Sequence, residues 1–283
     1  MAKTKRLRCY RLFSMLLIMH FPGILQANDT QPPLLPGWQI LEFEQRAFFA
    51  TAKSTLEVMA APDRPGQWAL TANSSVLDNS EEVLLLFNPT DGQASYRARL
   101  SRGQDQRFKV FHYGENGVRR ERRDPDENAA ANPEEWKLSS IKEVAYPPLT
   151  NNRAVTDGYA LILLASQLLE EPGQSLDVVV HTEFNFYTVK MTSSPGISID
   201  VDYEIDGVGK ITGKRNTTAV KLKISPLGEP LEEPDFSLLG LHGYIIMFFD
   251  KESGLLLRLL GQAPRIGKAE INLKKTVLRT PQE

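Results

Sequence analysis

Apolar and polar residues alternate along most of this chain with a period of two, the spacing of a half-buried strand. The cleanest case is "ISIDVDYEIDG", in which Ile197, Ile199, Val201, Tyr203 and Ile205 share one face and Ser198, Asp200, Asp202 and Glu204 the other. "QRFKVFHYGENGVRRERR" predicts a hairpin: Phe108, Val110 and Tyr113 fall near a two-residue rhythm, and "GENG" supplies turn residues that tolerate positive φ. "EVLLLFNPTDGQASYRARLS" predicts another, turning at "NPTDG". Further strands are predicted in the second half of 38–60, in "WALTANSSVL", "WKLSSIKEVAYPPL", "SLDVVVHTEFNFYTVKMTSS" and "VGKITGKRNTTAVKLKISPLG", and in the C-terminal run from Gly243. Strands joined by short turns imply an antiparallel sheet, and a sheet of about a dozen strands curls.

One stretch breaks the rhythm. "VTDGYALILLASQLLEEPG", residues 155–173, predicts a helix over 157–170, capped by Thr156 or Asp157 and stopped by Pro172 and Gly173. From Tyr159 to Leu169 only Ser166 and Gln167 are polar, and a helix apolar this far around is buried on most sides. Those residues span only about 16 Å, too short for a bilayer. The expected architecture is mainly β: a large curved antiparallel sheet, half-barrel or barrel-like, with this one helix covering its concave face.

The ends add a compartment. Lys3, Lys5, Arg6, Arg8 and Arg11 precede the apolar stretch "LFSMLLIMHFPGIL", and Ala27 closes a cleavage-site pattern. Residues 1–27 therefore read as a secretory signal peptide, 28–37 as a Pro-rich lead-in and 38–283 as one β-rich domain, expected in a bacterial periplasm. Removing the signal leaves 28 Lys plus Arg against 35 Asp plus Glu, a net of −7, which disfavours nucleic acid as a partner. The sole cysteine, Cys9, lies within the signal, so the exported chain has no disulfide and no thiolate metal site. The basic run "RRERR" reads as a solvated hairpin arm, and 124–135, "DPDENAAANPEE", as a loop.

Chemistry is sparse. His112, His181 and His242 form no metal-binding spacing, and no nucleophile elbow or phosphate-cradling glycine loop is present. Asp200, Asp202 and Glu204 line one strand face and read as its solvent side. No catalytic residue, metal or cofactor is expected, and Asp157 reads as a helix cap. Aromatic and apolar positions are the candidates for a hydrophobic ligand site: Tyr159, Leu163 and Leu164 on the helix, Phe184 and Phe186 in "EFNFYTV", and Tyr244, Ile246 and Phe248 in "YIIMFF".

The signal, the strands, the Asp-led helix "TDGYALILLASQLL" and the closing "MFFDKESGLLLRLLGQAPRIGKAEINL" together resemble the bacterial domain of unknown function 3108 family. Asp157, Asp250, Leu257, Arg258, Gly267, Ala269 and Leu273 fall at the positions that carry the resemblance, which spans about 40–276. The resemblance implies an exported β-rich protein without established activity. Two functions follow as expectations. One is a non-enzymatic periplasmic protein binding or carrying an acyl or lipid-like ligand within the curved sheet. The other is a cell-envelope structural or assembly factor acting through protein contacts.

Overall fold

Strand follows strand from Trp38: β1 (Trp38–Ala47), β2 (Ala50–Ala60), β3 (Trp68–Val76), β4 (Asn79–Phe87), β5 (Ala94–Arg102), β6 (Arg107–Tyr113), β7 (Gly117–Asp124) and β8 (Lys137–Ala145). After a short β9 (Val155–Thr156) comes the helix α1 (Ala160–Ser166). Then follow β10 (Ser175–His181), the long β11 (Phe186–Ile205) and β12 (Gly209–Pro226), β13 (His242–Asp250), β14 (Leu256–Ala263) and β15 (Gly267–Leu278). The computed structural model describes residues 36–47, 50–125, 132–150, 153–229, 234–264 and 267–279. Residues 1–35, which hold the expected signal peptide and most of the expected lead-in, and part of the 124–135 loop lie outside the described residues. Among the described residues, no helix is long and apolar enough to cross a membrane.

All 15 strands form one curved sheet, ordered β8-β7-β6-β5-β4-β3-β2-β1-β15-β14-β13-β12-β11-β10-β9. Neighbours in this order pair antiparallel except β9 with β10, and the additional β11–β15 pairing is parallel as well. Two meanders are thus joined at β1 and β15, where Leu41 pairs with Thr276. The segment 38–60 holds two strands rather than one: Arg46 pairs with Thr51 and Ala47 with Ala50.

The sheet rolls like a scroll. One face carries Leu41, Phe43, Leu56, Leu70, Leu85, Val180, Val189, Met247, Leu259 and Ile271, all within a single buried cluster. The opposite face of β10 and β11 is buried too, because Val179 and Phe186 pack against Phe111 and Val118 of β6 and β7. The β5–β8 wing therefore overlies the β9–β11 edge, and side chains seal the seam. The edge strand β8 stays largely exposed, including Leu138 and Ile141.

α1 lies inside the roll. Leu161, Ile162, Leu163, Leu164 and Ala165 are at most 3% exposed, so side chains close around the helix. Burial of each large aliphatic residue contributes about 1.5–3 kcal/mol, which holds a helix too short to persist alone. It is shorter than the predicted 157–170. Ala160, Leu161 and Ile162 donate to carbonyls three residues back, as do Gln167 and Leu168, so 3-10 turns flank the α segment. The Ser166 hydroxyl also donates to the Leu163 carbonyl (2.7 Å), competing with the helical ladder at that end. Of the two expected caps it is Asp157 that serves: its carboxylate accepts from the Tyr159 amide (2.9 Å) in the turn that opens the helix, whereas the Thr156 hydroxyl has no partner.

The basic run is not a solvated arm. It forms β7, whose alternate residues Val118 and Arg120 are buried against the second half of the chain. The alternating face of 197–205 is only partly buried: Ile199 and Tyr203 join the core, while Ile197 is 59% exposed beside a register break at Pro195–Ser198. Beyond that break the β11–β12 hairpin reaches back to pair Glu204 and Ile205 with Lys275 and Thr276 of β15.

Candidate functional site

Three buried basic residues, Arg97, Lys109 and Arg120, organise the seam. Arg97 of β5 is 5% exposed and carries a full charge into the interior. Its guanidinium donates to the Asp157 carboxylate, to the His181 carbonyl (3.1 Å) and to the Thr182 carbonyl (2.6 Å), and lies 3.8 Å from the centre of the Phe111 ring. Asp157 also accepts from the Tyr159 amide (2.9 Å), so its side chain orders the turn into α1 while neutralising Arg97. His181 is enclosed by Phe111, Tyr113 and Phe186. Burial, with Arg97 nearby, drives its pKa down to about 2, so it stays neutral.

One row further toward the open end stand Arg99 and its neighbour Lys109, and diagonal to them Arg120. The turn between β10 and β11, Thr182–Asn185, inserts Glu183 among these cations. Its carboxylate accepts from Lys109 (2.5 Å) and Arg120 (3.0 Å), with Arg99 at 3.8 Å. Burial holds the Lys109 ammonium below the usual lysine range despite this partner. Asp235 anchors the turn. Its carboxylate accepts from the Thr182 hydroxyl (2.8 Å), the Phe184 amide (3.1 Å), the Asn185 side chain (2.9 Å) and the Tyr187 hydroxyl (2.9 Å). Those donors outweigh desolvation and lower the Asp235 pKa.

Beside Glu183 the scroll opens into a cavity of about 680 Å³, within the size range of small-molecule sites. Arg99, Arg102, Arg107 and Lys109 line it, each paired with a carboxylate, Glu81, Glu82, Asp105 and Glu183 in turn, and so do the apolar Ala52, Leu239, Ala263, Pro264 and Ile271. Ser54, Ser74 and Ser101 line it as well, with Ser54 and Ser74 bonded to each other at 3.0 Å across β2 and β3. Leu239 holds a left-handed φ of 51° and Gly240 one of 77° as the central pair of the tight Leu238–Leu241 turn, where positive φ at both positions is what a type I′ turn requires.

Of the eight sequence candidates, Tyr159 alone lines this cavity. Leu163 and Leu164 are buried within the core around the helix. Phe186 packs in the seam and Phe248 in the main core. Phe184 is 51% exposed, with Arg120 over its ring at 4.9 Å, and lines a smaller pocket of about 200 Å³ under the Thr182–Asn185 turn. Tyr244 is 47% exposed and Ile246 half-buried; on β13 it is their neighbours Ile245, Met247 and Phe249 that are buried, at 0–1%. Asp200, Asp202 and Glu204 are exposed, and Asp202 pairs with Lys210 at 2.9 Å. His112 is exposed and stacks edge-on with Tyr96. The cations escaped the sequence reading because they come from two strands, Arg99 and Arg102 on β5 and Arg107 and Lys109 on β6, which only the strand pairing brings together.

No family model matches the chain, and no curated protein matches it. Among solved structures it is similar to the beta-barrel-like protein of domain of unknown function DUF1849 from Brucella abortus. The two are 8% identical, with 85% of this chain and 96% of that one covered and a TM-score of 0.47.

Proposed function

We propose that this protein binds an amphiphilic anion, an acyl chain with a charged head, in the open end of the scroll. One observation carries the reading: a cavity of about 680 Å³ whose lining brings together cationic and apolar side chains. Apolar surface favours the chain, and Arg99 and Lys109 favour the head. The ligand sits above the helix rather than against its core face, where side chains leave no room. With this goes the proposal that residues 1–27 export the chain, that it acts without catalysis as a periplasmic carrier or sensor, and that it is kin to the domain of unknown function 3108 family. Calorimetric titration of the purified protein with dodecanoate, alongside native mass spectrometry of protein taken from its host, tests binding. A one-to-one complex supports it, and an empty protein that takes up no dodecanoate overturns it.

A second reading, an envelope assembly factor working through protein contacts, is favoured by a different feature. β8 is an edge strand with exposed Leu138 and Ile141, and such an edge can accept a partner strand. Crosslinking from β8 in cells tests it: a defined envelope partner supports it, and the absence of any product counts against it.

A further inference from the structure

In direct contacts two buried cations share the one Glu183 carboxylate, while the Asp235 carboxylate that anchors the same turn accepts, among the described residues, only from neutral donors. Lys109 and Arg120 are both buried, at 4% and 6% exposure, and both donate to the same carboxylate oxygen. A third cation, Arg99, stands 3.8 Å from the other oxygen, although it also pairs with Glu81 at 2.5 Å. A single negative charge thus serves two buried positive ones, and the Arg120 Nε has no hydrogen-bond partner. Uncompensated buried charge is costly, so the arrangement favours more negative charge than Glu183 supplies.

Glu183 also stands where a ligand could replace it. It lines the large cavity, and its side chain is 17% exposed. The turn that carries it is fastened by Asp235 through Thr182, Phe184 and Asn185, none of these bonds involving the Glu183 side chain. The carboxylate can therefore swing away while the turn stays in place.

We infer that Glu183 is a tethered stand-in for the head of the ligand, and that the head is a phosphate monoester on an alkyl or acyl chain. This rests on the amphiphile reading above and narrows its chemistry. A ligand carboxylate would only exchange one negative charge for another. A phosphate monoester brings about 1.5–2 charges and three acceptor oxygens. In the place of the Glu183 carboxylate it offers acceptors to Lys109 and Arg99, which line the cavity, and to Arg120, which lies behind Glu183 and does not line it.

Calorimetric titration of the full chain with dodecyl phosphate, dodecanoate, 1-dodecanol and inorganic phosphate, each below its micelle concentration where one exists, is the test. Dodecyl phosphate is expected to bind at least tenfold more tightly than dodecanoate. Glu183→Gln, which removes the competitor, should tighten dodecyl phosphate about tenfold further. Lys109→Met, which restores charge balance at Glu183, should erase the preference for phosphate while dodecanoate still binds. That variant decides the matter if Glu183→Gln does not fold. Equal affinity for dodecyl phosphate and dodecanoate, with 1-dodecanol weaker, overturns the phosphate assignment and leaves the amphiphile reading standing; equal affinity for all three removes the charged head from that reading as well. Weaker dodecyl phosphate binding by folded Glu183→Gln overturns the stand-in role. Inorganic phosphate binding as tightly as dodecyl phosphate makes the site one for free phosphate and removes the chain from the reading. Binding of none overturns both.

Discussion

Arg97 and Asp157, 60 residues apart in sequence, form a buried ion pair that fastens β5 to the turn entering α1. The pair lies where the β5–β8 wing overlaps the β9–β11 edge, so it ties the outer wrap of the scroll to the helix inside. Guanidinium bonds to the carbonyls of His181 and Thr182 extend the tie to the turn that bears Glu183. The ion pair thus connects the core helix to the wall of the proposed site.

Replacement of Asp157 by Asn separates the two roles this residue could have. Asn caps a turn about as well as Asp, so a capping residue would tolerate the change with little loss. As the partner of a buried Arg it would not, because breaking such a pair costs about 3–5 kcal/mol. Urea denaturation should show Asp157→Asn destabilised by that order. The double variant Arg97→Met, Asp157→Asn should recover much of the loss, since it removes the stranded charge.

His181 predicts a pH dependence above the carboxylate range. Its folded pKa is near 2, against about 6.5 when unfolded, so between these values the unfolded chain binds more protons. Its contribution to stability is complete above about pH 6.5 and falls as pH drops, at about 1.4 kcal/mol per unit. Between pH 5 and 6.5 ordinary carboxylates remain ionised, so the slope there belongs mainly to His181. Denaturant midpoints across this window should fall with pH in the native chain and flatten in His181→Phe.

The strands and the buried helix were legible in the sequence because both rest on local periodicity. Leu161–Ala165 announced their burial by an apolar surface too wide for any exposed face. What periodicity cannot carry is which residues meet across the roll. Glu183 lies 74 positions from Lys109 and 63 from Arg120, and no spacing rule links them. "RRERR" looked like a solvated arm because a charge run usually is one. Arg120 is buried only because the β10–β11 turn delivers a carboxylate to it. Similarly, "YIIMFF" is apolar on both faces, so alternation could not tell Tyr244 and Ile246 from the buried Ile245 and Met247.

Gly196 sets the bend that brings the β11–β12 hairpin back to β15. A Cβ there would stand 2.2 Å from the Thr217 hydroxyl oxygen and 2.6 Å from the Thr217 carbonyl oxygen, and the latter is backbone that must shift. Gly196→Ala is expected to destabilise by about 1–3 kcal/mol. The damage should begin locally. Hydrogen exchange at the Asp206 amide, which donates to the Thr276 carbonyl at 2.9 Å, should accelerate before that of Val189 in the core.

Paired substitutions can show whether the ligand lies in the open cavity or against the helix. Leu163 is 1% exposed and packed in the core, so Leu163→Ala should cost about 2–5 kcal/mol in stability. If the ligand sits above the helix, protein that remains folded should bind dodecanoate with nearly unchanged affinity. Ala52 lines the cavity and is half-buried, with room before it, so Ala52→Trp should change stability little. The indole would occupy the space meant for the chain and reduce dodecanoate affinity at least tenfold. Calorimetry and urea denaturation on both variants measure the four quantities. Loss of binding in Leu163→Ala together with normal binding in Ala52→Trp would move the site to the helix and overturn the cavity assignment.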